Sequence, residues 1–179
     1  YSSIAHLGYL LVAFQAAGAL GPLAVTFYLV AYFVTTLGAF GVVTVLSHGG
    51  EEAGSLGDYR GLFWRRPALA GIFTAMLLSL AGIPVTAGFL GKFYVVAAGA
   101  SAALWALVVI LVVTSAMGLF YYLRIVGVMY ARADAPRALP ATVPAGGFAL
   151  AVLTVLLIWF GVFPGPLLGA IRQAVAGLV

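Results

Sequence analysis

Leu80-Ala81-Gly82-Ile83-Pro84-Val85-Thr86-Ala87-Gly88-Phe89-Leu90-Gly91-Lys92-Phe93-Tyr94 is the stretch on which the fold turns. It joins two runs, residues 67–91 and 93–123, that carry no Asp, Glu, Lys or Arg. A membrane-spanning helix needs about 20 mostly apolar residues. The apolar segment 68–98 is longer than one straight span requires, and Gly82, Pro84 and Gly88 fall in its middle. Proline removes a backbone donor and opposes a continuous helix. The spacing therefore predicts a broken helix. Exposed irregular backbone is not tolerated in lipid, so the break is expected to be buried in protein or to line a wet cavity.

The rest of the sequence extends this pattern. Of 179 residues, 65% are hydrophobic and 7% charged, with 8 Lys and Arg, 4 Asp and Glu, and a net charge of +4. Soluble domains carry about 25% charged residues, so a soluble globular enzyme is excluded first and disorder with it. There is no Cys, which excludes a disulfide scaffold, and iron–sulfur clusters and Cys-type zinc sites within this chain. Residues 1–50 and 138–171 are also free of Asp, Glu, Lys and Arg. The first of these runs holds two spans, divided at Gly18-Ala19-Leu20-Gly21-Pro22, where Pro22 suits a helix start. The reading is an all-α, polytopic membrane helix bundle. It forms one membrane domain over 1–179 with spans at 1–18, 22–47, 68–98, 103–130 and 145–170. No strict apolar/polar alternation points to a β-barrel. The chain starts Tyr1-Ser2-Ser3 without an initiator Met, and reads as part of a longer polypeptide.

The remaining charges mark loops. Glu51, Glu52, Asp58, Arg60, Arg65 and Arg66 fall in the loop 48–67, and Arg132, Asp134 and Arg137 in the loop 131–144. Both loops lie on one side, and the opposite side has only Arg172. The excess of Arg predicts that the loops, and the N-terminal end of the first span, are cytoplasmic, with the C-terminus outside. Trp64 and Trp105 suit the interfaces, Arg124 reads as an interfacial anchor, and His48 as a solvated loop residue.

Two side chains lie where lipid should not contain them. Lys92 is about 10 Å inside its span, counted from Gly99 at 1.5 Å per residue. A lysine at such depth costs about 2.5–3.5 kcal/mol, and is expected to face a partner or water. Burial disfavours a charged amine, and a lysine able to release its proton suits a relay; the alternative is a lysine snorkelling to the interface. His6 is about 18 Å from the end of the first span, near the midplane. Ser2, His6 and Tyr9 share one helix face. Histidine can relay a proton, or simply hydrogen-bond to a neighbouring helix. Tyr28, Tyr32 and Thr35 share a face of the second span, with Thr36 and Thr44 nearby. Thr74, Ser79, Thr86, Thr114 and Ser115 add hydroxyls that hold water or bond across helices. No span contains an acid, so any carboxylate partner of Lys92 must come from outside this chain's spans. No phosphate loop, nucleophile triad, metal-ligand spacing or nucleic-acid patch is present.

The stretch quoted above resembles the broken-helix segment of the antiporter-like membrane subunits of respiratory complex I. Tyr1-Ser2-Ser3-Ile4-Ala5-His6-Leu7-Gly8-Tyr9 and Tyr59-Arg60-Gly61-Leu62-Phe63-Trp64-Arg65-Arg66-Pro67 are similar to the subunit N family of bacterial NADH-quinone oxidoreductases, the counterparts of mitochondrial subunit 2. The resemblance runs almost end to end. It implies a fourteen-helix, inverted-repeat fold of which the five spans are helices ten to fourteen. It matches Lys92 to the lysine of the second broken helix, His6 to a histidine of helix ten, and Tyr1 to a tyrosine near the polar axis. The first repeat is absent, so the resemblance implies that this chain is not a complete transport unit.

The same resemblance implies a non-redox subunit of a proton-translocating NADH:quinone oxidoreductase in a bacterial inner membrane. Lys92, His6 and Tyr1 would transfer protons, and other membrane subunits of the complex and the lipid bilayer would be its partners. FMN, iron–sulfur clusters and quinone are expected in partner subunits, with no cofactor or metal in this chain. The alternatives are a subunit of a multisubunit Na⁺/H⁺ antiporter, using the same lysine, and a structural subunit in which Lys92 only satisfies carbonyls freed by the break.

Overall fold

The computed structural model describes residues 2–16, 18, 20–47, 53–132 and 144–176. Among these the chain is helical and without strands: α1 Ser2–Gln15, α2 Leu20–Leu46, α3 Leu62–Arg65, α4 Pro67–Ala81, α5 Ala87–Ser101, α6 Trp105–Tyr130, α7 Pro144–Val162 and α8 Gly165–Ala176. A 3₁₀ turn, Leu56–Tyr59, precedes α3. Helices α2 and α6 are each long and apolar enough to cross a membrane alone. At 1.5 Å per residue each is about 40 Å long, more than the roughly 30 Å hydrocarbon core.

The segment read as one span over 68–98 is two 15-residue helices, α4 and α5, separated by residues 82–86. Each is about 22 Å long, so neither crosses the core alone. Gly82 closes α4 in the left-handed conformation, φ 84°. Its N–H donates to the Ser79 carbonyl and that of Ile83 to the Leu78 carbonyl, both at 3.0 Å, a Schellman closure. Thr86 starts α5: its hydroxyl accepts from the Phe89 N–H and donates to the Ile83 carbonyl at 2.7 Å. Between them Val85 is held at φ 77°, a conformation costing a β-branched residue about 1–3 kcal/mol.

The segment read as 145–170 also divides. Helices α7 and α8 are bent apart by 81° at Phe163-Pro164, because proline supplies no donor and disfavours a helical residue before it. Leu168 and Ile171 of α8 are buried with Leu23, Phe27 and Ala31 of α2, while Arg172 and Gln173 stay exposed.

Helix α2 is the axis. Its first half packs with Tyr9, Leu10 and Ala13 of α1 and Val95 and Ala98 of α5. Its last turns pack with Leu69, Phe73 and Leu77 of α4, Met129 of α6 and Leu150 of α7. Outward, α6 exposes Ile110, Val113 and Phe120, and α7 exposes Phe148, Val155 and Trp159. Apolar patches of that extent face lipid or neighbouring helices rather than water.

The chain between α2 and α4 is tied to the end of α6. Asp58 accepts from the Ser55 N–H and hydroxyl, both at 2.9 Å. Tyr59 is buried and donates to the Ala53 carbonyl at 2.8 Å. Burial, and then the adjacent Asp58, holds its phenol above the usual range. Arg60 Nε donates to the Arg132 carbonyl at 3.2 Å and Trp64 Nε1 to the Tyr130 carbonyl at 3.1 Å. The Arg132 guanidinium lies 5.7 Å from the Trp64 ring centroid. Trp64 and Trp105 are both exposed. His48, Glu51, Glu52, Asp134 and Arg137 lie outside the described residues.

Candidate functional site

The broken helix creates a site because it ends a helix inside the bundle. The last four carbonyls of a helix have no intrahelical partner. In α4, Leu78 and Ser79 are satisfied by the Schellman closure. The carbonyls of Leu80 and Ala81 are taken by Lys92 Nζ, at 2.8 and 3.0 Å. Its third donor goes to Ser115 Oγ of α6 at 2.8 Å. The ammonium's three donors are thus used, and the negative end of the helix dipole faces a positive charge. The Tyr9 ring centroid lies 5.5 Å from Nζ, a cation–π contact. Lys92 is 9% exposed and turned inward rather than along the surface.

Close packing places it there. A Cβ on Gly88 would come within 2.0 Å of the Ser79 carbonyl oxygen, and one on Gly82 within 2.9 Å of Lys92 Cδ. Ser79 Oγ accepts from the Gly88 N–H at 3.1 Å and is 3.1 Å from Thr35 Oγ1 of α2. So Gly82 and Gly88 both serve the break, the first by its left-handed turn and the second by contact between the half-helices. Pro84 is exposed within it.

His6 is 4% exposed. Its Nδ1 shares a hydrogen bond with the Tyr28 hydroxyl at 2.6 Å, and its Nε2 one with the Tyr122 hydroxyl at 3.3 Å. The Tyr122 hydroxyl is also hydrogen-bonded to Ser2 Oγ. The ring stacks on Tyr32, with centroids 4.9 Å apart, and meets the Tyr9 ring edge-on at 5.5 Å. A hydrogen-bonded chain therefore runs Ser2–Tyr122–His6–Tyr28 across α1, α6 and α2.

His6 and Lys92 share two cavities. One, of about 560 Å³, is lined by Ser2, His6, Tyr9, Lys92, Ser115 and Tyr122 among others. The second, of about 10 Å³, lies between His6, Tyr28, Thr35, Ser79 and Lys92, space for about one water. Two groups that can carry protons thus face common, mostly apolar space inside a low-dielectric bundle. Charge on one then changes the cost of charge on the other. Such an arrangement can hold a proton, hand it along hydroxyls, and couple its position to a distant charge. Among the described residues no group of three or more His, Cys, Asp or Glu side chains forms a metal cluster.

The structure brings together Lys92, His6, Ser2, Tyr9, Tyr28, Tyr32, Thr35 and Ser115. Tyr1 lies outside the described residues. Arg124 is exposed, away from this cluster. Two participants were not singled out in the sequence. Tyr122 lies seven residues after Ser115, on the same face of α6, and that spacing was the available signal. Gly161 of α7 packs on the break, where a Cβ would come within 2.3 Å of the Val85 carbonyl oxygen; nothing local to its sequence points there.

The family described as "NADH:quinone oxidoreductase/Mrp antiporter, TM" matches residues 1–118. NADH-quinone oxidoreductase subunit N of Ectopseudomonas mendocina is 50% identical over 97% of this chain and 36% of its own length. Its namesake in Nitrosospira multiformis is 54% identical over 99% of this chain and 39% of its own. The chain thus spans well under half the length of these curated relatives. In a structure of respiratory complex I from Thermus thermophilus with bound aureothin, one chain superposes with a TM-score of 0.81 at 35% identity. That match covers 96% of this chain and 38% of the other.

Proposed function

The chain belongs to the NADH:quinone oxidoreductase/Mrp antiporter membrane family, and we propose that it is part of a proton-translocating membrane subunit of an NADH-quinone oxidoreductase. The observation that carries this is the shared cavity: Lys92 and His6, both buried, face the same space and are bordered by hydroxyls of Ser2, Ser115 and Tyr122. Lys92 stores a proton at the broken helix. His6 receives and releases one through Tyr122 and Tyr28. Tyr1, next to Ser2 in sequence, takes part in the same proton transfer. Electron transfer takes place in partner subunits, which hold the FMN, iron–sulfur clusters and quinone, and its charge changes reach Lys92 and His6 by electrostatic coupling. This chain contributes no redox group.

The domain reading goes with this function. One membrane domain places the basic segments 48–67 and 131–144 on the cytoplasmic side, with the first span starting there and the C-terminus outside. The bonds from Arg60 and Trp64 to Arg132 and Tyr130 support a common side for the two segments.

Lys92→Ala in the complete complex tests the reading. Proton translocation and coupled turnover are expected to fall while assembly persists; an assembled variant that pumps normally overturns it. The three bonds of Lys92 Nζ favour a second, structural reading. Lys92→Met separates the two, because a structural lysine predicts failed assembly and a transporting one predicts an assembled, non-pumping complex. An antiporter subunit would copurify without flavin or iron–sulfur absorbance.

A further inference from the structure

Among the described residues, two sets of hydrogen bonds join the half-helices α4 and α5. One is the Lys92 ammonium on the Leu80 and Ala81 carbonyls. The other is made by Ser79, the residue before Leu80. Its hydroxyl accepts from the Gly88 N–H at 3.1 Å. Gly88 lies in the first turn of α5, where backbone donors have no partner within their own helix. Ser79 thus caps α5 from α4, across the break. Ser79 is 1% exposed, and Thr35, its neighbour on α2, 2%.

Donor counting fixes the direction of each bond. The Thr35 hydroxyl donates to the Ala31 carbonyl at 2.6 Å. A hydroxyl has one proton to give, so in the 3.1 Å contact with Ser79 Oγ it is Thr35 Oγ1 that accepts. Ser79 therefore donates to Thr35 and accepts from Gly88, and every donor in the set is used. The set contains no ionisable group. The Lys92 set does. Its ammonium uses three donors, on Leu80, Ala81 and Ser115. A neutral amine has only two, and its bonds lose the charge that roughly doubles their strength. The Lys92 set thus weakens whenever the proton leaves, and the Ser79 set does not.

We infer that Ser79 and Thr35 form a latch that holds the Leu80 and Ala81 carbonyls within reach of Lys92 while its proton is away. The inference rests on the proposed proton-translocating function, and it makes both of them positioning residues. Ser79 adjoins Leu80 in the chain, and Gly88 is one turn, about 6 Å, before Lys92 on α5. A shift at the latch is thus passed to the carbonyls on one side and to the lysine on the other. Thr35 fixes Ser79 to α2, the helix on which both α4 and α5 pack. Thr35, Ser79, Gly88 and Lys92 together border the small cavity, which leaves little room for the half-helices to move independently.

The test uses the complete complex in proteoliposomes, with Ser79→Ala, Thr35→Val, Thr35→Ser, Lys92→Ala and Thr154→Val compared at equal amounts of assembled complex. Ser79→Ala and Thr35→Val are expected to slow proton translocation about tenfold, the rate equivalent of one lost buried hydrogen bond. Thr35→Ser keeps the acceptor and is expected to restore the rate; pumping as slow as in Thr35→Val overturns the latch. Thr154 of α7 makes the same kind of bond, to the Leu150 carbonyl at 2.8 Å, so Thr154→Val is expected to pump as the parent does. If Lys92→Ala stops pumping while Ser79→Ala and Thr35→Val only lower the melting temperature and pump at the parental rate, the latch is overturned and the function stands. If Lys92→Ala pumps normally, the function itself fails and takes the latch with it. Should Ser79→Ala or Thr35→Val not assemble, Ser79→Cys, of similar shape but a weaker acceptor, is expected to slow pumping in its place, and parental pumping there overturns the latch.

Discussion

Two of the segments read as single spans are interrupted at proline, and the two interruptions differ in almost every respect. At residues 82–86 the backbone is strained at Val85 and pressed between Ser79, Gly88 and Gly161. Its freed carbonyls are capped by a buried ammonium. At Phe163-Pro164 the chain turns by 81° with Phe163 exposed. Its bonds are ordinary: Phe163 N–H donates to Trp159 at 2.7 Å and Leu168 N–H to Pro164 at 2.9 Å. The second turn redirects an amphipathic helix along the bundle. The first holds a chargeable group inside it, at the cost of strain that its surroundings must resist. Proline explains where a helix stops; what then occupies the freed carbonyls decides whether the stop has chemistry.

Substitutions can break this contrast, and the largest effect is expected at Lys92. Lys92→Met ends proton translocation in a complex that still assembles, and the unpaired Leu80 and Ala81 carbonyls, at about 1–3 kcal/mol each, lower its melting temperature; proton pumping and thermal unfolding of the assembled complex measure the two effects. Next is Gly88→Ala. Its new methyl would overlap the Ser79 carbonyl, so a loss of about 3 kcal/mol is expected, read as a lowered melting temperature or failed assembly. Gly161→Ala should act on the same break from α7, costing about 1–3 kcal/mol by overpacking. If its stability matches the parent, α7 does not brace Val85. Val85→Gly should relieve the left-handed strain and raise stability by about 1 kcal/mol. Pro164→Ala, at the second interruption, is expected to cost less than about 1 kcal/mol, mainly through a freer unfolded chain, and to leave pumping unchanged. A large pumping defect there would erase the distinction between the two turns.

Much of the architecture was legible in the sequence. Charge-free runs located the apolar helices, and Gly82, Pro84 and Gly88 marked the break. Periodicity grouped Ser2, His6 and Tyr9 on one face, and Tyr28, Tyr32 and Thr35 on another; both groups converge on the site. The 145–170 segment shows the limit. Its composition was continuous and apolar, so it read as one span, although Pro164 was present; the size of a bend depends on what the next helix can pack against. For α8 that is Leu23 and Phe27 of α2.

The sequence by itself determined a membrane helix bundle, the place of its break and the presence of one isolated lysine. These are local properties, set by hydrophobicity, missing donors and helical spacing over a few turns. Only the tertiary structure decided that Lys92 bonds to carbonyls rather than a carboxylate. It alone paired Tyr122 with His6 across 116 positions, and gave the break a brace at Gly161. Those facts depend on which helix faces meet, and that is set by packing among helices far apart in the chain.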